Sequence, residues 1–545
     1  MSDRSAPPRF REHAVAIAAA IALTVVFTFP IAFKAGRVGR IDNGDGQLSI
    51  WNVAWVARTL PVHPGQVFDA NVFYPQRGAL LYSETNLGAG ALAIPVYWAT
   101  RNPYAAHNSV VLLAFALAFI GAYYLVRYLT GDWRAAAVAG VWFAFSPITF
   151  TRLAHIQLLM TAGLPLTMLA MHRVADRPTP GRGAALGAAV AGQALFCGYY
   201  GVFAILILGY STIVFAATRR LWRSASYWGA LVLAACVSLV LVAPVLVPFA
   251  FFHETTGFRR SLGQAVRYSA NWSAYLASPA FAHAWLLRQL PGWSDVLFPG
   301  FLATVFGIAG AFVAVRQRQR ELVFLYGGIA LLAFWLSLGP AAGLYSLLYE
   351  TTPLFSFLRV PSRFGLIVVL ALTVFGGIAV SALLRRTSRP AILFSVVMLC
   401  AGGELLSPVP VRDVPAIEPV YEKLSTLPPG PVIEMPYFYL DYMFPRNTYY
   451  MLQSTAHWMP LVNGYSDFMP PDFLANVMTL APFPSRDSIK LLAARRVRYA
   501  VFHRHWYNHD NWRDVTARLK EFEPYLNRVY ADHETRLYEI VGTPP

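Results

Sequence analysis

Charge is what this 545-residue sequence has least of. Asp, Glu, Lys and Arg together make up 13% of it, against about 25% in ordinary soluble domains. Hydrophobic residues make up 56%, which excludes an ordinary soluble protein and points to a membrane. Cysteine is scarce as well. Cys197, Cys236 and Cys400 all fall inside apolar runs, which excludes a disulfide framework and a cysteine-based metal centre. Acidic residues are the rarer charge, 28 against 44 basic, for a net charge of +16. That excess does not signal nucleic acid. The basic residues are nearly all Arg and sit in short clusters between apolar runs, which is topology information. No internal repeat stands out, and no pair of interrupted segments in two halves marks a transporter.

What is present is a succession of apolar segments, near 14–33, 106–128, 135–150, 156–172, 183–198, 200–218, 227–250, 296–315, 321–338, 364–384 and 390–406. A bilayer takes about 20 residues of helix to cross, so these predict about eleven spans. Aromatics at 14% supply interfacial anchors. The basic N-terminal "MSDRSAPPRFREH" resembles the start of a signal peptide, but no small-x-small cleavage site follows and many apolar segments do. It reads as the lead-in to a first span.

With the N-terminus inside, every inside segment carries at least two arginines: Arg4, Arg9 and Arg11; Arg127 and Arg134; Arg173, Arg177 and Arg182; Arg219, Arg220 and Arg223; Arg316, Arg318 and Arg320; Arg385, Arg386 and Arg389. This is the positive-inside pattern. The outside regions, 34–105, 251–295 and 339–363, are longer and mixed in charge. The fold class is therefore a polytopic α-helical membrane protein with a small C-terminal extracytoplasmic α/β domain. Residues 1–409 form the membrane domain, including a large first outside loop at 34–105, and 410–545 form the tail. In the tail "GPVIEMPYF" and "VRYAVFHRH" read as strands, "SRDSIKLLAARR" as a capped helix and "NRVYADHETRLYEIV" as a hairpin.

Chemistry has its candidates on the outside face. "GRIDNGDGQLSIWNVAW" (39–55) places Asp42 and Asp45 in a Gly-rich turn at the membrane surface. Such a carboxylate can be a general base, a metal ligand or a solvated turn residue, and Asn-Gly-Asp is also good turn chemistry. The following "SIWNVAWVARTL" (49–60) has the spacing of a helix lying in the interface. Loops this long inside a compact protein are usually functional, and Glu84 in "NVFYPQRGALLYSETNLGAG" adds a candidate substrate contact. In "FSFLRVPSRFG" (355–365), Arg359 and Arg363 are either snorkelling arginines at the end of a span or an anion clamp. "TRLAHIQLL" (151–159) places Arg152, His155 and Gln157 in a turn between spans, and the 251–295 loop brings Arg259 and Arg260. In the tail, His457, Trp458, Asn463 and Tyr465 of "QSTAHWMPLVNGYSDF" (453–468) suit a sugar-stacking surface or an ordinary core; the core is the simpler reading.

These motifs resemble those of the C-type (GT-C) glycosyltransferases, multi-spanning enzymes that take a sugar from a polyprenyl-phosphate carrier on the outer face. The resemblance lies in an inside N-terminus, one span and a large acidic first outside loop. It extends through "GDGQLSIWNVAW", "FYPQRGALLYSE", "SPITFTRLAHIQLL", "FLRVPSRF" and "AARRVRYAVFH". It implies Asp45 as the general base that takes the acceptor's hydroxyl proton. Asp42 would support it, as a ligand for a divalent cation (Mg or Mn) shared with Asp45 or by orienting it. The sequence departs here from the Asp-x-Asp form, so metal dependence stays open. Arg359 and Arg363 would stabilise the departing phosphate, and Glu84, Arg152, His155, Arg259 and Arg260 would contact substrate. The implied reaction is a single inverting displacement. Its partners are a polyprenyl-phosphate-linked sugar, membrane lipids and an extracytoplasmic glycan, lipid or protein acceptor, and its place is the cell (inner) membrane with the tail in the periplasm. The alternatives are another lipid-linked transferase or polymerase of envelope glycans, a transporter and a non-enzymatic assembly component. A transporter predicts ionisable residues inside the spans. Glu404 is the main one here.

Overall fold

A computed structural model describes residues 10–545, so Arg4 and Arg9 lie outside the described residues. Each apolar segment expected from the sequence carries helix. Among the described residues, six helical stretches are long and apolar enough to cross a membrane: Phe10–Phe27, Pro103–Thr130, Gly198–Thr218, Ala225–Thr256, Arg320–Ser337 and Pro361–Leu384. Leu87–Thr100, Phe301–Arg316 and Pro390–Leu405 are shorter apolar helices. Two of the eleven expected segments are broken. Ser146-Pro147 ends the Trp133–Ala144 helix and starts a one-turn helix at Pro147–Phe150, and a bend at 160–162 separates Ile156–Leu159 from Gly163–Asp176. Proline fits the first turn of a helix but not its interior. The count of eleven rested on apolarity, which does not register such breaks.

The chain forms two compact units. Among the described residues, one comprises 10–33 and 110–410, the other 34–109 and 411–545. The first long loop thus belongs with the tail rather than with the apolar segments it was grouped with.

In the helical unit, the stretch 361–384 lies at the centre and is largely buried, whereas 225–256 turns its apolar surface outward. Val232, Leu239, Val240, Val247 and Phe251 are exposed along it. An unbroken exposed apolar surface of this length suits hydrocarbon, where no polar face is required. The Phe301–Arg316 helix packs on the Gly365–Leu384 helix through Gly310, where a Cβ would meet the Phe375 carbonyl oxygen at 1.7 Å. Only glycine permits that approach of backbones.

Polar contacts join helix ends expected on the same side. Arg127 pairs with Glu12 at 2.5 Å, and Arg219 pairs with Asp176 at 2.5 Å and Glu321 at 2.6 Å. Arg385 donates to the Thr130 carbonyl at 2.8 Å. Glu404, the acid that kept a transport reading open, is a helix cap. Its carboxylate accepts from the Phe301 and Leu302 amides at the start of the 301–316 helix and from His283 Nε2 at 3.1 Å. A carboxylate there complements the positive end of the helix dipole.

In the second unit, two short strands, β1 (Val38–Gly39) and β2 (Arg412–Asp413), pair antiparallel and tie the loop to the tail. The tail contributes β3 (Val432–Met435), β4 (Tyr499–His503), β5 (Leu526–Ala531) and β6 (Thr535–Ile540) in the order β3-β4-β6-β5. β3 runs parallel to β4 with Glu434 opposite Val501; β6 is antiparallel to both β4 and β5. The expected strands, the closing hairpin and the Ser485-capped helix Arg486–Ala494 are all present, the last with a reciprocal Ser485–Ser488 capping box. Asn463 is fully buried and hydrogen-bonds both the amide and the carbonyl of Glu434, at 2.8 and 3.0 Å. It is a core residue, whereas His457, Trp458 and Tyr465 of the same stretch are half-buried.

Candidate functional site

The "DNGDG" turn starts a helix. Asn43 caps Gly44–Thr59, its Oδ1 accepting from the Gly46 amide at 2.8 Å, and Asp45 occupies the first turn. Asn is among the best N-caps, and an acid in the first turn is favoured by the helix dipole. Gly46 is required by space: a Cβ there would lie 1.9 Å from the Arg40 carbonyl oxygen. Asp42 is held by Arg40, Nε to Oδ1 at 2.8 Å. Tyr465 Oη reaches Asp45 Oδ1 at 3.4 Å. Gln47 fixes the turn from behind, donating to the Ile41 carbonyl and accepting from Thr448 Oγ1, both at 2.8 Å.

The Gly44–Thr59 helix does not lie on a surface. Ile50, Trp51, Val53, Ala54, Val56 and Ala57 are at most 2% exposed, and its polar residues are bonded inward. Trp51 Nε1 donates to Asn71 Oδ1 at 3.2 Å, Asn52 Nδ2 to the Glu84 carbonyl at 3.1 Å, and Ser49 Oγ lies 3.1 Å from His107 Nε2. The interfacial helix expected at 49–60 is instead the core helix of this unit, because its Trp, Asn and Ser side chains find partners all round it. Asp45 therefore stands at the N-terminus of a rigidly packed element.

The second set of candidates lies in the helical unit. Arg152 Nη2 contacts both oxygens of Asp295 at 2.7 Å. Ser362 Oγ donates to Asp295 Oδ2 at 2.6 Å and the Val296 amide to Oδ1 at 2.7 Å. Burial pushes the Asp295 carboxyl up, but the Arg152 charge and these hydrogen bonds outweigh it and hold it below the usual carboxylate range. Next to Ser362, Arg363 is 8% exposed. Its guanidinium lies over the Tyr199 ring at 4.6 Å, and its buried Nε makes no hydrogen bond. Arg359 lies over Tyr268 at 5.6 Å. Arg260 is 8% exposed, with its guanidinium over Phe258 at 4.7 Å, and Arg259 is exposed. His155 is half-buried where the Ile156–Leu159 turn of helix begins.

Asp42, Asp45 and Glu84 thus belong to one unit, and Arg152, His155, Arg259, Arg260, Arg359 and Arg363 to the other. A metal shared by Asp42 and Asp45 has to compete with Arg40 for the Asp42 carboxylate. Sequence reasoning missed Asp295. It sits alone in "GWSDVLF", 143 residues from Arg152, with no local spacing to mark it. It also missed a cluster of Glu418, His503 and His505 in the tail, although "FHRH" places two histidines two apart.

No family model and no curated protein matches the sequence. Among solved structures, the arabinofuranosyltransferase AftD from Mycobacteria aligns with a TM-score of 0.54 at 16% identity, covering 99% of this chain and 40% of that one. A mutant of AftD aligns at 0.56 and 16%, covering 99% and 42%. ArnT from Cupriavidus metallidurans, bound to undecaprenyl phosphate, aligns at 0.48 and 14%, covering 98% of each chain. This chain spans about 40% of the length of AftD. At these identities the likeness concerns the fold alone, which this chain shares with the arabinofuranosyltransferase AftD.

Proposed function

We propose that this protein is an integral membrane glycosyltransferase that moves a sugar from a polyprenyl-phosphate donor to an acceptor at the outer membrane face. The observation that carries the reading is Asp45, a carboxylate presented in the first turn of a buried helix, on a chain with the fold of AftD. Asp45 acts as general base. The acceptor hydroxyl gives its proton to the carboxylate as its oxygen bonds to the anomeric carbon, and the bond from that carbon to the phosphate oxygen breaks. The result is inversion at that carbon.

Tyr465 and the Asn43 cap orient Asp45, and Asp42 stays with Arg40, so this course needs no metal at the pair. Arg363 and Arg359 take the departing phosphate. Arg363 suits that role because it is nearly buried and its Nε lacks a partner, a state that an anion relieves. Arg152 acts by holding Asp295 and Ser362 in place, while Glu84, His155, Arg259 and Arg260 contact substrate. The acceptor is a glycan, lipid or protein of the cell envelope, with the tail in the periplasm.

Complementation tests the proposal. A deletion strain receives wild type or Asp45→Asn at equal membrane abundance, and surface glycans and polyprenyl-phosphate sugars are profiled. Loss of one glycan modification with accumulation of its lipid-linked donor is expected. A wild-type profile from Asp45→Asn would remove the catalytic assignment and leave Asp45 a turn residue.

A further inference from the structure

We infer that the tail holds a divalent transition-metal site, best matched by zinc, formed by Glu418, His503 and His505. His503 ends β4, His505 follows in the Arg504–Trp506 turn, and Glu418 caps the Pro419–Ser425 helix. One ligand atom from each lies within 4.8 Å of the other two. Two histidine nitrogens and a carboxylate form a zinc donor set, leaving a fourth position for water.

The surroundings distinguish this cluster from a chance meeting of polar groups. The His503 side chain is fully buried, and its Nε2 lies 2.9 Å from Glu434 Oε2, itself fully buried on the neighbouring strand β3. That contact leaves Nδ1 facing Glu418 Oε2 at 3.5 Å, and neither atom makes a hydrogen bond. Ligand atoms on a zinc tetrahedron with bonds near 2.1 Å are about 3.4 Å apart, so this pair already has the spacing of two ligands. His505 needs only a small side-chain movement, and at 36% exposure it is free to make one.

His503 also has a carboxylate hydrogen-bonded at its other nitrogen, Glu434 at 2.9 Å, while Glu534 stands near His505 with its Oε2 3.9 Å from Nδ1. Glu418 in turn accepts from Tyr449 Oη through its second oxygen. Outer carboxylates of this kind fix the tautomer of metal-ligating histidines and raise their basicity. The metal would pin the start of the 419–425 helix and the 504–506 turn to the end of the sheet, closing the tail's core around His503.

The test uses the full chain, purified in detergent, stripped with chelator and titrated with zinc against a chromophoric competitor; cobalt is titrated in parallel and read by visible absorption. One zinc per chain and a tetrahedral cobalt spectrum are expected. His505→Ala should abolish both while eluting as wild type does. Glu418→Gln, which keeps the side chain's shape but removes the ligand's charge, should weaken zinc at least about 10-fold and keeps the test decisive if the alanine variant fails to fold. Absence of stoichiometric binding at micromolar zinc, or an affinity unchanged in the folded variants, overturns the site.

Discussion

Replacing Asp295 by Asn asks whether Arg152 is a buried charge that depends on one partner. The side chains of Arg152 and Asp295 are 17% and 14% exposed, so most of their solvation has been given up. Two unit charges about 4 Å apart attract by about 4 kcal/mol at an effective dielectric constant near 20. Breaking a buried pair on one side costs about 3–5 kcal/mol, because the other charge is left uncompensated. Residual exposure lowers this to about 2–4 kcal/mol for Asp295→Asn. The Arg152→Met change should cost less, since Asp295 keeps Ser362 and the Val296 amide and can take up a proton. The double variant should therefore be more stable than Asp295→Asn alone. The sign with pH is also determined. The Asp295 carboxyl lies below its ordinary value of 3.8 in the fold, so its stabilising contribution is present above that value and is lost as pH falls through the lowered one. Thermal midpoints of the four proteins in detergent, at neutral and acid pH, give the coupling. Additive single effects, or a wild type that loses no more on acidification than the double variant does, would refute the argument.

Other consequences are local. In Gly46→Ala the new Cβ would stand 1.9 Å from the Arg40 carbonyl oxygen, so the first turn must move; transfer should drop about 100-fold, measured with a polyprenyl-phosphate sugar in proteoliposomes, although alanine is the better helix former. Tyr465→Phe removes the 3.4 Å contact of the hydroxyl to Asp45 and should cost about fivefold in the same assay. Gly310→Ala forces the 301–316 and 365–384 helices apart at a 1.7 Å approach, and a loss of about 1–3 kcal/mol should appear as a lower thermal midpoint. Glu404→Gln keeps the cap's shape but not its charge; about 1–2 kcal/mol of stability should be lost with transfer retained, whereas a transport role for Glu404 requires loss of function at unchanged stability.

Residues that act through near neighbours were legible in the sequence. The apolar segments become helices because a run of such residues leaves the backbone no partner but itself. Ser485 and Ser488 announce the start of the 486–494 helix three residues apart, and β5 and β6 are adjacent in sequence and in space. The same locality made the aspartates of "DNGDG" conspicuous, but it could not say what Gly46 and Gln47 face. Gln47 meets Thr448 across 401 residues and Asn71 meets Ser454 across 383. Those contacts turn the helix at 44–59 from an expected surface element into the core of a unit built from both parts of the chain. Composition cannot reveal this, since Trp51, Trp55 and Asn52 suit an interface and a polar-lined core equally well.

Charge partners obey the same limit. Arg152 was conspicuous beside His155, whereas Asp295, the residue that holds it, stands in an unremarked loop. Glu404 stood out as an acid in an apolar segment, the usual mark of a transport pathway, until the amides of Phe301 and Leu302 accounted for it. A buried ion in such a chain is thus informative only with its partner. By that criterion Arg363 stands out: it lies over an aromatic face, and its buried Nε makes no hydrogen bond. A nearly buried guanidinium with an unpaired nitrogen is costly unless an anion completes it, which is why the proposed phosphate-binding role rests on Arg363 more than on any spacing in the sequence.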